Sequence, residues 1–98
     1  MAKFIQIIEY TTTRKDEVDA LMDEWMQRTE GKRTAAKATI TKDREAQNRY
    51  LEIVEFPSYD EAMRNNDLPE TDELAGKLAK LCEDMSFRNL DVVREELG

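Results

Sequence analysis

Histidine does not occur in this 98-residue chain. Its absence excludes a Ser-His-Asp triad, histidine-ligated zinc and a proximal histidine on haem iron. The single cysteine, Cys82, cannot close an internal disulfide; this suits a reducing compartment, and a cytoplasmic location is expected. Basic residues are in the minority, 15 Lys and Arg against 22 Asp and Glu, for a formal charge of -7. A surface of that sign repels phosphate, so neither nucleic acid nor an anionic membrane surface is expected as a partner. No apolar run is long enough to span a bilayer, and the opening MAKFIQIIEY interrupts its apolar residues with Gln6 and Glu9, unlike a signal peptide or an anchor. Glycine and proline are scarce, with three and two copies, while 40% of the residues are hydrophobic. One ordered domain over residues 1–98 is the expectation.

What the chain does contain is a near-repeat. Residues 3–12 read KFIQIIEYTT and residues 49–58 read RYLEIVEFPS. In the first, Phe4, Gln6, Ile8 and Tyr10 alternate with Ile5, Ile7 and Glu9; in the second, Tyr50, Glu52, Val54 and Phe56 alternate with Leu51, Ile53 and Glu55. Both alternate as strands do, yet both faces are largely apolar. A sheet covered by helices on one side only ordinarily carries polar residues on the other, so something else is expected to cover the second face here.

Each strand leads into a helix. After the first, Thr12 or Thr13 is placed to cap a segment whose Val18, Leu21, Met22, Trp25 and Met26 share one face and which is expected to stop near Gly31. After the second, Ser58 and Glu61 form a capping box that opens YDEAMRNN, and Pro69 interrupts it. Leu74, Ala75, Leu78, Leu81, Cys82 and Met85 then line a further helix, with Thr71 or Asp67 as its cap. Shorter strands are expected near residues 36–43 and 87–95, and residues 42–49 read as a polar turn. The order strand, helix, strand, strand, helix pair, strand is a doubled βαβ unit. It predicts the ferredoxin-like α+β fold, a four-stranded antiparallel sheet with helices on one face. A homodimer formed through the exposed sheet face, closing a dimeric α+β barrel, accounts for the apolar surplus.

The block YLEIVEFPSYDEAM, the following NNDLPET and the closing FRNLDVVRE resemble the antibiotic biosynthesis monooxygenase-like family of the dimeric α+β barrel superfamily. The resemblance spans most of the chain and implies the same fold. Haem-degrading relatives use a histidine, an asparagine on the first strand and a tryptophan after the third; here histidine is missing and Met63 stands near the tryptophan position. The resemblance therefore points away from haem degradation. It points instead to cofactor-independent monooxygenases acting on an aromatic or polyketide-like molecule whose anion reacts directly with oxygen. The protein's share of such chemistry is to desolvate the ring, hold a deprotonated oxygen and exclude water.

On that reading Asn66, Trp25, Arg88 and Glu52 are the candidate catalytic residues, and Tyr10, Tyr50 and Asn65 the candidate contacts to a small aromatic ligand. Each has a plainer role open to it. Trp25 sits in a core stripe, Tyr10 and Tyr50 suit strand packing, and Asn65 and Asn66 suit a helix break. Arg88 and Arg94 suit pairing with the surplus carboxylates. Glu52, among apolar face-mates, is either a proton acceptor of raised pKa or the partner of a base across the dimer interface; the second is the favoured expectation. Cys82 reads as a small buried hydrophobe. The clustered helix acids Asp16, Glu17, Asp23, Glu24, Asp72 and Glu73 lack a calcium-loop pattern, and no metal or cofactor is expected. The alternative to an enzyme is a non-catalytic, small-ligand-binding or stress-related homodimer.

Overall fold

The computed structural model describes residues 2–96. Four strands and three helices follow in the order β1 (Phe4–Thr11), α1 (Lys15–Arg28), β2 (Lys37–Lys42), β3 (Arg49–Phe56), α2 (Tyr59–Asn66), α3 (Pro69–Leu81) and β4 (Glu83–Asp91). They form one sheet in the order β2-β3-β1-β4, with every neighbouring pair antiparallel. This is the ferredoxin-like arrangement, and the two repeated strands are its central pair. They run face to face with Ile7 opposite Ile53 and Tyr10 opposite Tyr50. Among the described residues no helix is long and apolar enough to cross a membrane.

Opposed residues point to the same side of a sheet, so the register sorts every strand residue. Phe4, Gln6, Ile8 and Tyr10 share the helix-covered side with Tyr50, Glu52, Val54 and Phe56. Two clusters build the core there: Phe4 and Phe56 with Ala62 of α2, and Tyr10 with Val18 of α1 and Leu78 of α3. Burying each large side chain contributes roughly 1.5–3 kcal/mol. The opposite side carries Ile5, Ile7, Leu51, Ile53 and Leu90, interspersed with Glu9, Arg49, Glu55 and Arg88. Arg49 pairs with Glu9 across the strands and donates to Thr11 Oγ1 at 2.8 Å.

Local signals succeed where they are self-contained. Ser58 Oγ accepts from the Glu61 amide at 3.2 Å, and α2 begins and ends with the YDEAMRNN segment. Several expectations need correction. The N-cap position of α1 falls on Arg14, because Thr12 is used elsewhere: its hydroxyl accepts from the Arg14 amide and donates to the Leu81 carbonyl, tying the end of β1 to the end of α3. The N-cap of α3 falls on Leu68 with Pro69 in the first turn, where a missing N–H costs nothing. Thr71 is thereby left free for another contact. The last strand starts at Glu83 and ends at Asp91, earlier than 87–95, since α3 stops at Leu81. Met85 still reaches the Tyr10 cluster, but from a strand and not from the helix. The first helix also ends slightly early, at Arg28; the turn beyond it uses Gly31 at φ 82°, a left-handed conformation that glycine adopts without a Cβ clash.

Candidate functional site

Between the sheet and the helices lies a cavity of about 90 Å³. Its floor is Gln6 and Ile8 of β1 with Glu52, Val54 and Phe56 of β3; its roof is Met22 and Trp25 of α1 with Thr71, Leu74 and Leu78 of α3. The break between α2 and α3 puts Asn65 and Asn66 at one end. The break follows from chain chemistry, since Pro69 cannot continue a helix and disfavours helical geometry at the residue before it. A groove of about 250 Å³ running to Met85 and Phe87 of β4 shares Asn66, Thr71, Leu74 and Leu78 with the cavity lining. Past Trp25 and Met22 the cavity borders a second, wider groove of about 520 Å³ between α1 and the edge strand β2.

Trp25 is oriented by a hydrogen bond from its indole Nε1 to Thr71 Oγ1 at 2.9 Å. This contact uses the hydroxyl that the cap of α3 does not need. Asn65 is buried, and its Oδ1 accepts from the Thr34 amide at 3.2 Å. That bond fixes which end of the amide is the oxygen and leaves the NH₂ group as a donor. Asn66 is exposed at the mouth shared by the cavity and the β4-side groove. Gln6 donates from Nε2 to Asn89 Oδ1 at 3.2 Å along the same mouth.

Glu52 is 2% exposed, and Tyr10, 1% exposed, donates from its hydroxyl to Glu52 Oε2 at 2.8 Å. Burial pushes the Glu52 carboxyl above the ordinary carboxylate range; the Tyr10 bond and the Lys15 charge oppose the shift, and Asp19 adds to it. Burial and the adjacent carboxylate together push the Tyr10 hydroxyl well above the ordinary phenol range. Cys82, half-buried at the end of α3, is raised by burial and by Glu52. Tyr50 stacks on Tyr10 with ring centroids 5.9 Å apart, and the Lys15 ammonium lies 5.2 Å from the Tyr50 ring while pairing with Asp19.

The seven residues singled out from the sequence therefore separate into three groups. Trp25, Asn65, Asn66 and Glu52 converge on the cavity. Tyr10 stands behind the wall and acts on it through Glu52, with Tyr50 one layer further out. Arg88 is on the wrong side of the sheet, opposite Ile7 on the open face, and cannot orient a ligand in this cavity. The favoured expectation for Glu52 is also overturned: the side chain points under the helices to Tyr10 and away from the open face. Arg94 pairs with Glu96, as a surface base is expected to. Thr71 and Gln6 were not anticipated as lining residues. Gln6 carried a signal, being a polar residue on an otherwise apolar strand face; Thr71 carried none, because its partner is 46 positions away in sequence.

No protein-family model and no curated protein sequence matches the chain. Solved structures do. SnoaB, a cofactor-independent oxygenase from Streptomyces nogalater, superposes with a TM-score of 0.81 over 99% of this chain and 98% of its own, at 15% identity. An antibiotic biosynthesis monooxygenase superposes with a TM-score of 0.72 over 93% of this chain and 99% of its own, also at 15% identity. The chain has the fold of the antibiotic biosynthesis monooxygenases. A conserved protein from Methanosarcina mazei Go1 shares this monooxygenase fold as well, with a TM-score of 0.77 over 92% of each chain at 9% identity. At such identities the common property is the fold, and chemistry has to be argued from the cavity.

Proposed function

We propose that the protein is a cofactor-independent monooxygenase acting on an aromatic or polyketide-like small molecule bound between sheet and helices. The observation that carries this reading is the convergence of Trp25, Asn65, Asn66 and Glu52 on a cavity whose remaining lining, apart from Gln6 and Thr71, is apolar. Apolar walls strip water from a ring system, and the few polar groups orient its oxygens. An enolisable ring carbon that gives up a proton carries electron density that molecular oxygen accepts directly. Carbon–oxygen bond formation and one returned proton give a hydroperoxide, and loss of water from it leaves a ketone. The net change is R₂CH₂ + O₂ → R₂C=O + H₂O, in which the carbon loses four electrons and dioxygen gains four. In this reading Asn66 and the Asn65 amide hold the substrate oxygen on which charge develops, and the ring packs against Trp25.

The test is oxygen consumption by the purified protein with a panel of enolisable polycyclic ketones and phenols, with chelator present and no added flavin, nicotinamide or metal. Uptake with a product that has gained one oxygen and lost two hydrogens supports the reading, and Asn66→Ala and Trp25→Phe are expected to slow it. Unchanged turnover in both variants, with the fold intact, removes those residues from the mechanism.

A second reading, a non-catalytic binding protein, is favoured by the placement of Arg88 and Tyr50 outside the cavity, which leaves fewer polar groups around a ligand. It predicts saturable change in Trp25 fluorescence with no oxygen consumed. In either case the proposal includes a homodimer through the open sheet face, where Ile5, Ile7, Leu51, Ile53 and Leu90 form one patch and Leu90 is 42% exposed. Two such faces packed about 10 Å apart, as stacked sheets are, make a closed barrel core. A cytoplasmic location is also part of the proposal and rests on the single cysteine.

A further inference from the structure

Glu52 is difficult to explain as a stabilising residue. It is 2% exposed and in the sheet floor, and the hydrogen bond it receives comes from a neutral hydroxyl, that of Tyr10. The nearest base able to neutralise it, Lys15, is engaged with Asp19 and lies over the Tyr50 ring. A buried carboxylate so weakly compensated costs folding free energy, and Gln or Leu would pack in the same place at lower cost. What Glu52 does have is position. It is the one ionisable side chain lining the inner cavity among the described residues, and no cation accompanies it there. Tyr10 engages Oε2, which restrains the carboxylate in a floor that also holds Gln6, Ile8, Val54 and Phe56.

We infer that Glu52 is the proton acceptor of this cavity, with Tyr10 as its positioning residue, and that the site takes uncharged enolisable or phenolic molecules and rejects carboxylates. The inference rests on the small-molecule reading of the cavity given above. In the step it describes, the substrate C–H or O–H bond breaks, its electron pair stays on the substrate as an enolate or phenolate, and the proton goes to the carboxylate. With molecular oxygen as the oxidant, the same proton returns to the peroxide. Without oxygen it returns to carbon, and the outcome is isotope exchange. Substrate charge follows from the same geometry: a second carboxylate in a cavity with one buried anion and no base meets uncompensated repulsion.

The groups that face Glu52 come from three elements: Tyr10 from β1, Lys15 and Asp19 from α1, and Cys82 from the end of α3. Ile40 stands opposite it on β2 and Ile8 on β1, neither of which titrates. Only the ionised carboxylate accepts a proton, so activity falls as pH drops through the Glu52 pKa. Removing the Tyr10 hydroxyl takes away a bond that favours the charged form, which moves that acidic limb to higher pH.

The experiment is anaerobic exchange of the benzylic α-hydrogens of 2-tetralone into D₂O, followed by NMR for the wild-type protein, Glu52→Gln and Tyr10→Phe across pH. Wild-type exchange above the buffer rate is expected, with a loss of about 100-fold or more in Glu52→Gln, the usual share of a general base. Tyr10→Phe is expected to retain exchange with its acidic limb displaced upward. Alongside it, 2-naphthoate is titrated against Trp25 fluorescence and is expected to bind Glu52→Gln but not the wild type. Wild-type exchange at the buffer rate, equal exchange in Glu52→Gln, or an unmoved limb in Tyr10→Phe overturns the assignment. Exchange that depends on Glu52 without any aerobic oxygen uptake leaves this inference standing and removes the oxygenase reading. Oxygen uptake that survives in Glu52→Gln does the reverse.

Discussion

The bond between Tyr10 and Glu52 yields a stability prediction that does not depend on knowing a substrate. Both side chains are at most 2% exposed and the bond is 2.8 Å long, so water does not substitute for either partner when the other is removed. A hydrogen bond to a charged acceptor contributes about 1.5–3 kcal/mol, against about 0.5–1.5 kcal/mol when both partners are neutral. Tyr10→Phe is therefore expected to cost about 2 kcal/mol at pH 7.5. In a chain of this length each kcal/mol moves the melting temperature by about 4–8 °C, so the fall is about 8–16 °C. In a Glu52→Gln background the hydroxyl still finds a carbonyl acceptor, and the same substitution is expected to cost about 1 kcal/mol. The difference, a coupling of about 1 kcal/mol, is read from urea unfolding of the four proteins of the double-mutant cycle at one protein concentration.

The pH dependence follows from the direction of the Glu52 shift. Its folded-state pKa is raised above that of the unfolded chain, chiefly by burial. The stability this provides is fully present below the unfolded-state value and is lost as pH rises through the folded-state value. Glu52→Gln lacks the titration, so its stability advantage over the wild type is expected to grow from mildly acidic to neutral pH, and the coupling to Tyr10 to shrink at pH 4. A Tyr10→Phe cost equal in both backgrounds and at both pH values would refute the account of the pair.

Ile7 and Ile53 face each other on the open side of the sheet and take no part in either core cluster. Ile53→Asp is expected to leave the far-ultraviolet circular dichroism unchanged while converting a dimer to a monomer in native mass spectrometry; a persisting dimer places the interface elsewhere. Thr71→Val keeps the shape of the side chain but removes the acceptor that Trp25 Nε1 reaches at 2.9 Å. It is expected to cost about 1–2 kcal/mol in urea unfolding and to shift the emission of the single tryptophan, and an unaltered spectrum means that the bond does not orient the ring.

What the sequence determined by itself lies in its short-range patterns. The alternation in residues 3–12 and 49–58 marks two strands, the Ser58–Glu61 capping box marks the start of α2, and Pro69 marks the break after it. Each depends on neighbours within a turn or on a period of two, and together with the element order they were enough for the ferredoxin-like topology. They could not choose between two strand faces that are both largely apolar. That choice belongs to the tertiary structure, where packing of α1 and α3 over the sheet puts Glu52 inside with Tyr10 and leaves Arg88 outside with Ile7. The end of α3 is hidden from the sequence for a related reason, since Leu81, Cys82 and Met85 fit a helical stripe although Met85 reaches the same core from a strand. Apolar spacing records that a residue is buried. Which element carries it there, and which partner it meets, is decided by contacts between residues far apart in the chain, such as Tyr10 with Glu52 and Trp25 with Thr71.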